Sequence, residues 1–105
     1  MPDETPEIDL STYAARRAAG VTVDVRERGE YADGHVPGAR LIPMGQLASR
    51  LGELDPSTPV HVICASGNRS RAMTDLLNAV DFDAVSVAGG TRGWITAGHP
   101  VEVGL

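Results

Sequence analysis

The sequence predicts a small α/β domain with a mostly parallel central sheet and helices on both of its faces. Runs of β-branched and other apolar residues at 21–25, 60–64 and 84–90 alternate with segments whose apolar residues recur at helical spacing. Parallel strands need a crossover connection, usually a helix, so this alternation favours a parallel sheet. At 105 residues the chain has the size of one compact domain with one core.

The N-terminal part predicts a lead-in followed by a helix. Residues 1–7 are acidic and contain prolines, and we expect them to form a flexible segment before a single domain over residues 8–105. Asp9 is a suitable N-cap for a helix covering residues 10–19, and Gly20 stands where such a helix should end.

The next part predicts a strand, a loop and a second helix. Residues 26–39 follow the strand at 21–25 and are dense in glycine and charge, which indicates a loop that contains about one helical turn. A brief strand is expected near Leu41 and Ile42. The helix after it shows apolar residues at helical spacing and a glycine at its end: Met44, Leu47, Leu51 and Gly52.

The C-terminal half predicts a strand over residues 60–64 and then an amphipathic helix over residues 69–80. This helix carries an apolar stripe made of Ala72, Met73, Leu76, Leu77 and Val80. A last strand at 84–90 leads into a short helix that contains Trp94, which we expect to anchor the core.

Composition excludes several functional classes. The formal net charge of −5 argues against non-specific binding to nucleic acid or to anionic membranes. No apolar run approaches the roughly 20 residues of a membrane span, and the N-terminus lacks a signal-peptide pattern, so we expect a cytoplasmic monomer. One cysteine excludes an intramolecular disulfide and a thiolate zinc site within the chain, and the three histidines lack metal-ligand spacing, so no metal or cofactor is expected.

Cys64 is the candidate functional residue. It ends a predicted parallel strand, where open α/β sheets bind their ligands, and it precedes the start of a helix. The small and polar residues after it can wrap around the sulfur with their N–H groups pointing inward, which favours the reactive thiolate. A lone cysteine is also common as a small core residue. The glycine, asparagine and arginine of the loop favour the functional interpretation.

Four ordered segments resemble a single-domain rhodanese over nearly the whole chain. "DVRE", "EY" and "GHVPGA" lie within residues 24–39, and "LIPM" follows them. "CASGNRS" at residues 64–70 resembles the active-site loop, and "VAGGTRGWITAGHPV" at residues 87–101 resembles the closing strand, glycine pair and tryptophan helix. The resemblance implies a rhodanese-like fold.

The resemblance also implies a sulfurtransferase in which Cys64 takes a sulfur atom from a donor such as thiosulfate and passes it to cyanide or a thiol. The loop residues implied to bind substrate are Ala65, Ser66, Gly67, Asn68, Arg69 and Ser70. Related cysteine phosphatases and arsenate reductases have five residues between Cys and Arg. Here four residues separate Cys64 from Arg69, which suits a single sulfur atom better than a tetrahedral oxyanion.

Several roles stay open at this stage. Asp24 and Arg26 are expected to support the site, with Asp24 bracing loop amides and Arg26 pairing with Glu30. Arg69 either binds an anionic donor or contacts a nearby carboxylate. Ser70 either donates a hydrogen bond to the loop or caps the helix, and capping is the role expected. The protein would be an active sulfurtransferase for small donors, a persulfide carrier between protein partners, or a binding module that keeps the fold without catalysis.

Overall fold

A computed structural model describes residues 5–105 and shows one five-stranded sheet in which every pairing between strands is parallel. The strand order across the sheet is β1-β5-β4-β2-β3. The predicted α/β class with a parallel sheet is confirmed. The strands are β1 (Glu7–Ile8), β2 (Val21–Asp24), β3 (Arg40–Leu41), β4 (Val60–Ile63) and β5 (Ala84–Val87).

The helices lie in the connections between the strands, as the alternation of patterns predicts. They are α1 (Leu10–Arg16), α2 (Arg28–Asp33), α3 (Met44–Leu47), α4 (Asn68–Ala79) and α5 (Gly90–Thr96). Short 3₁₀ turns continue α1 through Arg17–Ala19 and follow α3 at Leu51–Glu53. The side chain of Asp9 caps α1 by accepting a hydrogen bond of 2.8 Å from the Thr12 N–H.

The central strand β4 divides the core into two layers because its side chains alternate between the faces of the sheet. Val60 and Val62 pack with residues of α3 and α4, including Leu47 and Leu77. Ile63 packs on the other face with a cluster that contains Trp94 of α5. Helices therefore cover both faces, and Trp94 is a core anchor as predicted, with 2% of its surface exposed.

Two elements differ from the sequence prediction near the edges of the sheet. The predicted lead-in ends at residue 7, whereas Glu7 and Ile8 form the edge strand β1 beside β5; residues 1–4 of that lead-in lie outside the described part. Two consecutive residues are too few to show a strand period. The predicted helix through Leu51 ends after Leu47: Ala48 still has helical backbone angles, but Arg50 does not, with φ −118° and ψ 18°, and a separate 3₁₀ turn begins at Leu51.

The segment 26–39 contains more helix than predicted. Helix α2 runs for six residues and begins with a capping box, in which the Glu27 side chain accepts from the Glu30 N–H while Glu30 accepts from the Glu27 N–H. This arrangement fixes the Glu30 carboxylate at the first turn of α2. Across residues 5–105, no helix is long and apolar enough to cross a bilayer.

Candidate active site

Cys64 lies directly after β4, at the carboxyl end of the parallel sheet. Residues 65–67 form a tight loop, and α4 begins at Asn68. Gly67 is the N-cap of α4 with φ +113°, a backbone conformation that glycine adopts without the strain of a side chain. The sequence thus places the sulfur at the head of a 12-residue helix, where the helix dipole favours negative charge.

The sulfur of Cys64 is enclosed by hydrogen-bonding groups. The Gly67 N–H donates to Sγ over 3.1 Å, and the Ser70 Oγ lies 3.4 Å from Sγ. Ser70 Oγ is also 2.8 Å from the hydroxyl of Ser86, which is fully buried on β5. The thiol can donate to Ser70, and the same hydroxyl can instead donate to a thiolate while Ser86 donates to it. The site therefore accommodates both protonation states of the sulfur.

Of the two roles left open for Ser70, the expected helix cap is wrong, and the hydroxyl instead hydrogen-bonds to Cys64 in the loop. Ser70 is the third residue of α4, its side chain is fully buried, and the N-cap position is held by Gly67 without a side-chain hydrogen bond. The helical register turns Ser70 inward, toward Cys64 and β5, because residues three and four apart share a face. Its hydroxyl contacts the sulfur instead of the helix end.

The surroundings of Cys64 favour its thiolate. Burial raises the pKa of the Cys64 thiol, since only 1% of the residue is exposed and it also packs in the apolar core. Hydrogen bonds from the Ser70 hydroxyl and from the backbone N–H groups of Ser70, Gly67 and Ser66 outweigh that effect. The net result is a pKa below the ordinary value of 9.0. The packing and functional interpretations of this cysteine therefore both describe part of its environment.

Helix α5 approaches the Cys64 loop through the Gly89–Gly90 turn. The Thr91 N–H donates to the Cys64 carbonyl over 2.8 Å, and the Arg92 N–H donates to the Ala65 carbonyl over 3.0 Å. A Cβ atom on Gly90 would lie 2.6 Å from each of those carbonyl oxygens, and Gly90 has φ +59°. Only glycine fits there without a shift of the backbone.

Arg69 is bound to a carboxylate, one of the two roles left open. Its guanidinium forms two hydrogen bonds of 2.8 Å with the two carboxylate oxygens of Glu30. Arg69 lowers the pKa of Glu30 to about 2, with a further contribution from the Glu27 N–H. The pair joins the start of α4 to the start of α2 and remains about one-third exposed, with side-chain exposures of 32% and 38%.

The predicted partner of Arg26 is also wrong. Arg26 binds Asp24 through its Nε at 3.0 Å and its Nη2 at 2.8 Å, and it donates from Nη2 to the Gly34 carbonyl. Asp24 is fully buried and also accepts from the Arg26 N–H, so it braces its own turn and not the loop after Cys64. Glu30 is committed to Arg69. Asp24 and Arg26, the two residues predicted to support the site, therefore lie beside it and stabilise the turn before α2.

A cavity of about 230 Å³ lies between α2, α5 and the loop, with Ala65 in its lining. A cavity of about 480 Å³ lies at the opposite end of the sheet, against Val21 and Arg40, which are the first residues of β2 and β3. The larger cavity therefore lies too far from the Cys64 sulfur to bind a group that reacts with it. Among residues 5–105, no three His, Cys, Asp or Glu side chains are grouped as metal ligands.

A family model described as "Rhodanese-like domain" matches residues 10–97. The chain belongs to the rhodanese-like domain family. Within this family, the chain is 34% identical over 91 residues to the thiosulfate sulfurtransferase GlpE of Pseudomonas fluorescens, covering 86% of this chain and 83% of that protein. It is 33% identical over 93 residues to the putative sulfur carrier protein YrkF of Bacillus subtilis, covering 85% of this chain and half of that protein.

Solved rhodanese-like structures show the same fold. A rhodanese-related protein from Thermoplasma volcanium superposes with a TM-score of 0.90 at 31% identity, over 94% of this chain and 99% of that one. A rhodanese-like domain protein from Staphylococcus aureus gives a TM-score of 0.81 at 31% identity, over 95% and 99% of the two chains. The rhodanese-like fold implied by the sequence resemblance is confirmed.

Three residues of this rhodanese-like site have roles that the sequence prediction did not assign. Ser86 on β5 hydrogen-bonds to Ser70, and Glu30 on α2 binds Arg69. Gly90 allows the start of α5 to pack closely against the loop. The glycine pair and a serine within an otherwise apolar strand are the visible signals for Gly90 and Ser86. Nothing in the local sequence links Glu30 to Arg69, because 39 positions separate them.

Replacing Gly90 with alanine tests the close approach of α5 to the loop. We expect Gly90→Ala to lower the free energy of unfolding by roughly 2 kcal/mol or more, because the new Cβ meets two carbonyl oxygens and φ is positive. Gly89→Ala is the matched control: it also has a positive φ of +82°, but its Cβ would be 3.5 Å from its nearest neighbour, Leu10. Equal losses for the two variants in denaturant unfolding would contradict the contact.

The Arg69–Glu30 pair gives a pH-dependent contribution to stability. Because the pKa of Glu30 is lowered, the contribution is present above the ordinary carboxyl value of 4.5 and is lost as the pH falls toward about 2. We expect Glu30→Gln to cost about 1 kcal/mol at neutral pH, a value limited by solvent exposure. The cost should decrease as the pH falls from 4.5 and disappear once the pH has fallen through about 2. Additive losses in the Glu30→Gln, Arg69→Gln double-mutant cycle would argue against a direct pair.

Proposed function

We propose that this protein is a sulfurtransferase in which Cys64 is the nucleophile and carries the transferred sulfur as a persulfide. The observation that carries the proposal is the enclosure of Sγ by the Gly67 N–H and the Ser70 hydroxyl, which lowers the pKa of the thiol despite its burial. A thiolate is the reactive form of cysteine. The similarity to a thiosulfate sulfurtransferase over 86% of the chain supports the same reaction class.

The reaction consists of two displacements at sulfur. The Cys64 thiolate attacks the outer sulfur of thiosulfate, the sulfur–sulfur bond of the donor breaks, and sulfite leaves with the electron pair. A nucleophile such as cyanide or a thiolate then attacks the outer sulfur of the Cys64 persulfide. The bond to Sγ breaks, and its electron pair returns to Cys64 as thiolate. No external oxidant, reductant or cofactor is required, and ping-pong kinetics follow.

The loop provides an environment for a negative sulfur. The inward N–H groups of Ser66, Gly67 and Ser70 surround the sulfur and are preorganised, so they stabilise charge without rearranging during the reaction. Ala65 lines the cavity beside the loop, and Asn68 begins the helix. The tight loop is suited to one sulfur atom.

Arg69 and the Asp24–Arg26 pair have supporting roles in this proposal. Arg69 holds the loop by its two hydrogen bonds to Glu30, so a donor anion would have to displace Glu30 in order to use the guanidinium. Arg26 and Asp24 are buried and keep the turn before α2 in place. Neither ion pair contacts the sulfur.

A persulfide carrier is the second candidate, favoured by the similarity to a putative sulfur carrier protein that is twice the length of the matched segment. The near-complete burial of Cys64 is compatible with this role, since a persulfide handed only to protein partners is best shielded from small thiols. The presence of Cys64 itself speaks against a non-catalytic binding module. The two persulfide mechanisms differ in whether a small donor loads Cys64 quickly.

Intact mass measured after brief incubation with thiosulfate tests the proposal. We expect a gain of one sulfur atom on the wild-type chain, followed by its loss and the formation of thiocyanate when cyanide is added. Cys64→Ser should show neither change, and its unfolding transition should match that of the wild type. Because the chain has one cysteine, the added mass can be assigned to Cys64.

Other outcomes of the same experiment separate the candidates. Loading by a persulfide or polysulfide donor but not by thiosulfate would favour the carrier. No loading by either donor, or thiocyanate production by Cys64→Ser, would overturn the proposal.

A further inference from the structure

Ser86 is a polar residue in the interior of the sheet to which the proposed reaction gives no role. It lies on β5 in register with Val62 of β4 and Glu7 of β1, and it is fully buried. Its hydroxyl is 2.8 Å from Ser70 Oγ, which in turn lies 3.4 Å from Sγ of Cys64. Within residues 5–105, Ser70 is the one hydrogen-bond partner of this hydroxyl. A buried hydroxyl in an apolar strand calls for a physical reason.

The number of hydrogens in this chain of contacts fixes its direction. When the sulfur is a thiolate, two hydroxyl hydrogens are available for two contacts. If Ser86 donates to Ser70 and Ser70 donates to Sγ, both hydrogens are bonded. In the opposite direction the Ser86 hydrogen has no acceptor among residues 5–105, and the thiolate loses a donor. Because an unbonded buried hydroxyl costs free energy, the direction toward the sulfur is preferred.

The bond to Ser86 also holds the Ser70 side chain in place. A serine within a helix can instead donate to a backbone carbonyl of the preceding turn. The distance of 2.8 Å between the two hydroxyl oxygens is that of a well-formed hydrogen bond. Ser86 therefore keeps the Ser70 hydroxyl on the side of the helix that faces the sulfur.

We propose that Ser86 is a positioning residue for sulfur transfer, whose hydroxyl holds Ser70 beside Cys64 and directs the Ser70 hydroxyl hydrogen toward Sγ. Successive hydrogen bonds polarise one another, so donation from Ser86 makes Ser70 a stronger donor to a negative sulfur. Ser86 acts on the sulfur through Ser70.

The inference rests on the proposed sulfur transfer and applies to both of its steps. In the first step Sγ is the attacking thiolate. In the second step the bond between Sγ and the outer sulfur breaks, and its electron pair returns to Sγ. Sγ is thus the nucleophile of one step and the leaving group of the other, and a donor that stabilises its negative charge affects both.

Titration of the thiolate absorbance in Ser86→Ala tests the inference without any sulfur donor. We expect the pKa of the Cys64 thiol to rise, with an ionisation constant about threefold smaller, because one hydrogen bond of the chain is lost. Ser86→Thr keeps a hydroxyl on β5 and should restore the wild-type titration. In a Ser70→Ala background, Ser86→Ala should have no further effect, since Ser86 acts through Ser70.

Thr22→Val is the matched control for the loss of a buried hydroxyl from the sheet. Thr22 lies on β2, and its hydroxyl is 2.6 Å from the hydroxyl of Tyr13. The substitution removes one buried contact between hydroxyl groups, as Ser86→Ala does. We expect it to lower the free energy of unfolding and to leave the titration of Cys64 unchanged.

The charged groups around the sulfur are the same in all of these variants. Arg69, whose guanidinium is affected by the charge of Cys64, is paired with Glu30. Asp24 is paired with Arg26. A change in the titration therefore reports the hydroxyl groups.

The pH profile of loading from thiosulfate separates positioning from general damage to the site. Below the titration midpoints of both proteins, Ser86→Ala should load about twofold more slowly than the wild type, because less of its sulfur is thiolate. Above both midpoints it should load at least as fast, since a thiolate of higher pKa is the better nucleophile. A damaged site would load more slowly at every pH.

The outcomes separate this inference from the proposed function. The inference is overturned, and the sulfurtransferase remains, if Ser86→Ala titrates like the wild type or shifts the titration equally with and without Ser70. An equal shift in Thr22→Val, or slower loading of Ser86→Ala at every pH, also overturns it. If no donor loads Cys64, the proposed function fails, and the role of Ser86 in sulfur transfer fails with it.

Discussion

The approach of the Gly90 backbone to the peptide that joins Cys64 to Ala65 is the contact on which the site depends. It allows two N–H groups at the start of α5 to bind the carbonyls of Cys64 and Ala65. With those carbonyls held on one side, the N–H groups of the following loop residues are free to surround the sulfur. A bulkier residue in place of Gly90 would separate α5 from the loop and move the loop N–H groups away from Sγ.

Two opposing effects act on the pKa of the Cys64 thiol. Burial favours the neutral thiol, whereas the hydrogen bonds from Gly67, Ser66 and Ser70 favour the thiolate and prevail. The balance depends on the loop keeping its shape, because each N–H group loses its effect if it turns outward. Arg69 and Glu30 join α4 to α2 beside the loop, and the buried Asp24–Arg26 pair fixes the turn that leads into α2. The ion pairs thus support the chemistry without contacting the sulfur.

Local patterns in the sequence are sufficient to predict the strand, the loop and the helix that position Cys64. The short apolar run at 60–63 and the helical spacing of apolar residues in α4 are clear local signals, so the strand, the loop and the helix follow the prediction within one or two residues. The two-residue strand β1 has no period to detect. The Arg69–Glu30 pair joins residues 39 positions apart, so only the tertiary packing brings them together. Arg26 and Asp24 are two positions apart, and the sequence alone does not decide between Asp24 and Glu30 as the partner of Arg26. The inward orientation of Ser70 follows from its spacing of three and seven residues from the buried Met73 and Leu77, whereas its contacts with Cys64 and Ser86 depend on how α4 packs on the sheet.

The central claim is that the folded chain stabilises the Cys64 thiolate, and direct titration of the thiolate absorbance tests it. The chain has one cysteine, and the pKa of both Tyr13 and Tyr31 is raised mainly by burial, which moves tyrosinate absorbance to higher pH. We expect a midpoint below 9.0 in the native protein, a return toward 9.0 on unfolding, and a higher native midpoint in Ser70→Ala. A native midpoint at or above 9.0 would contradict it.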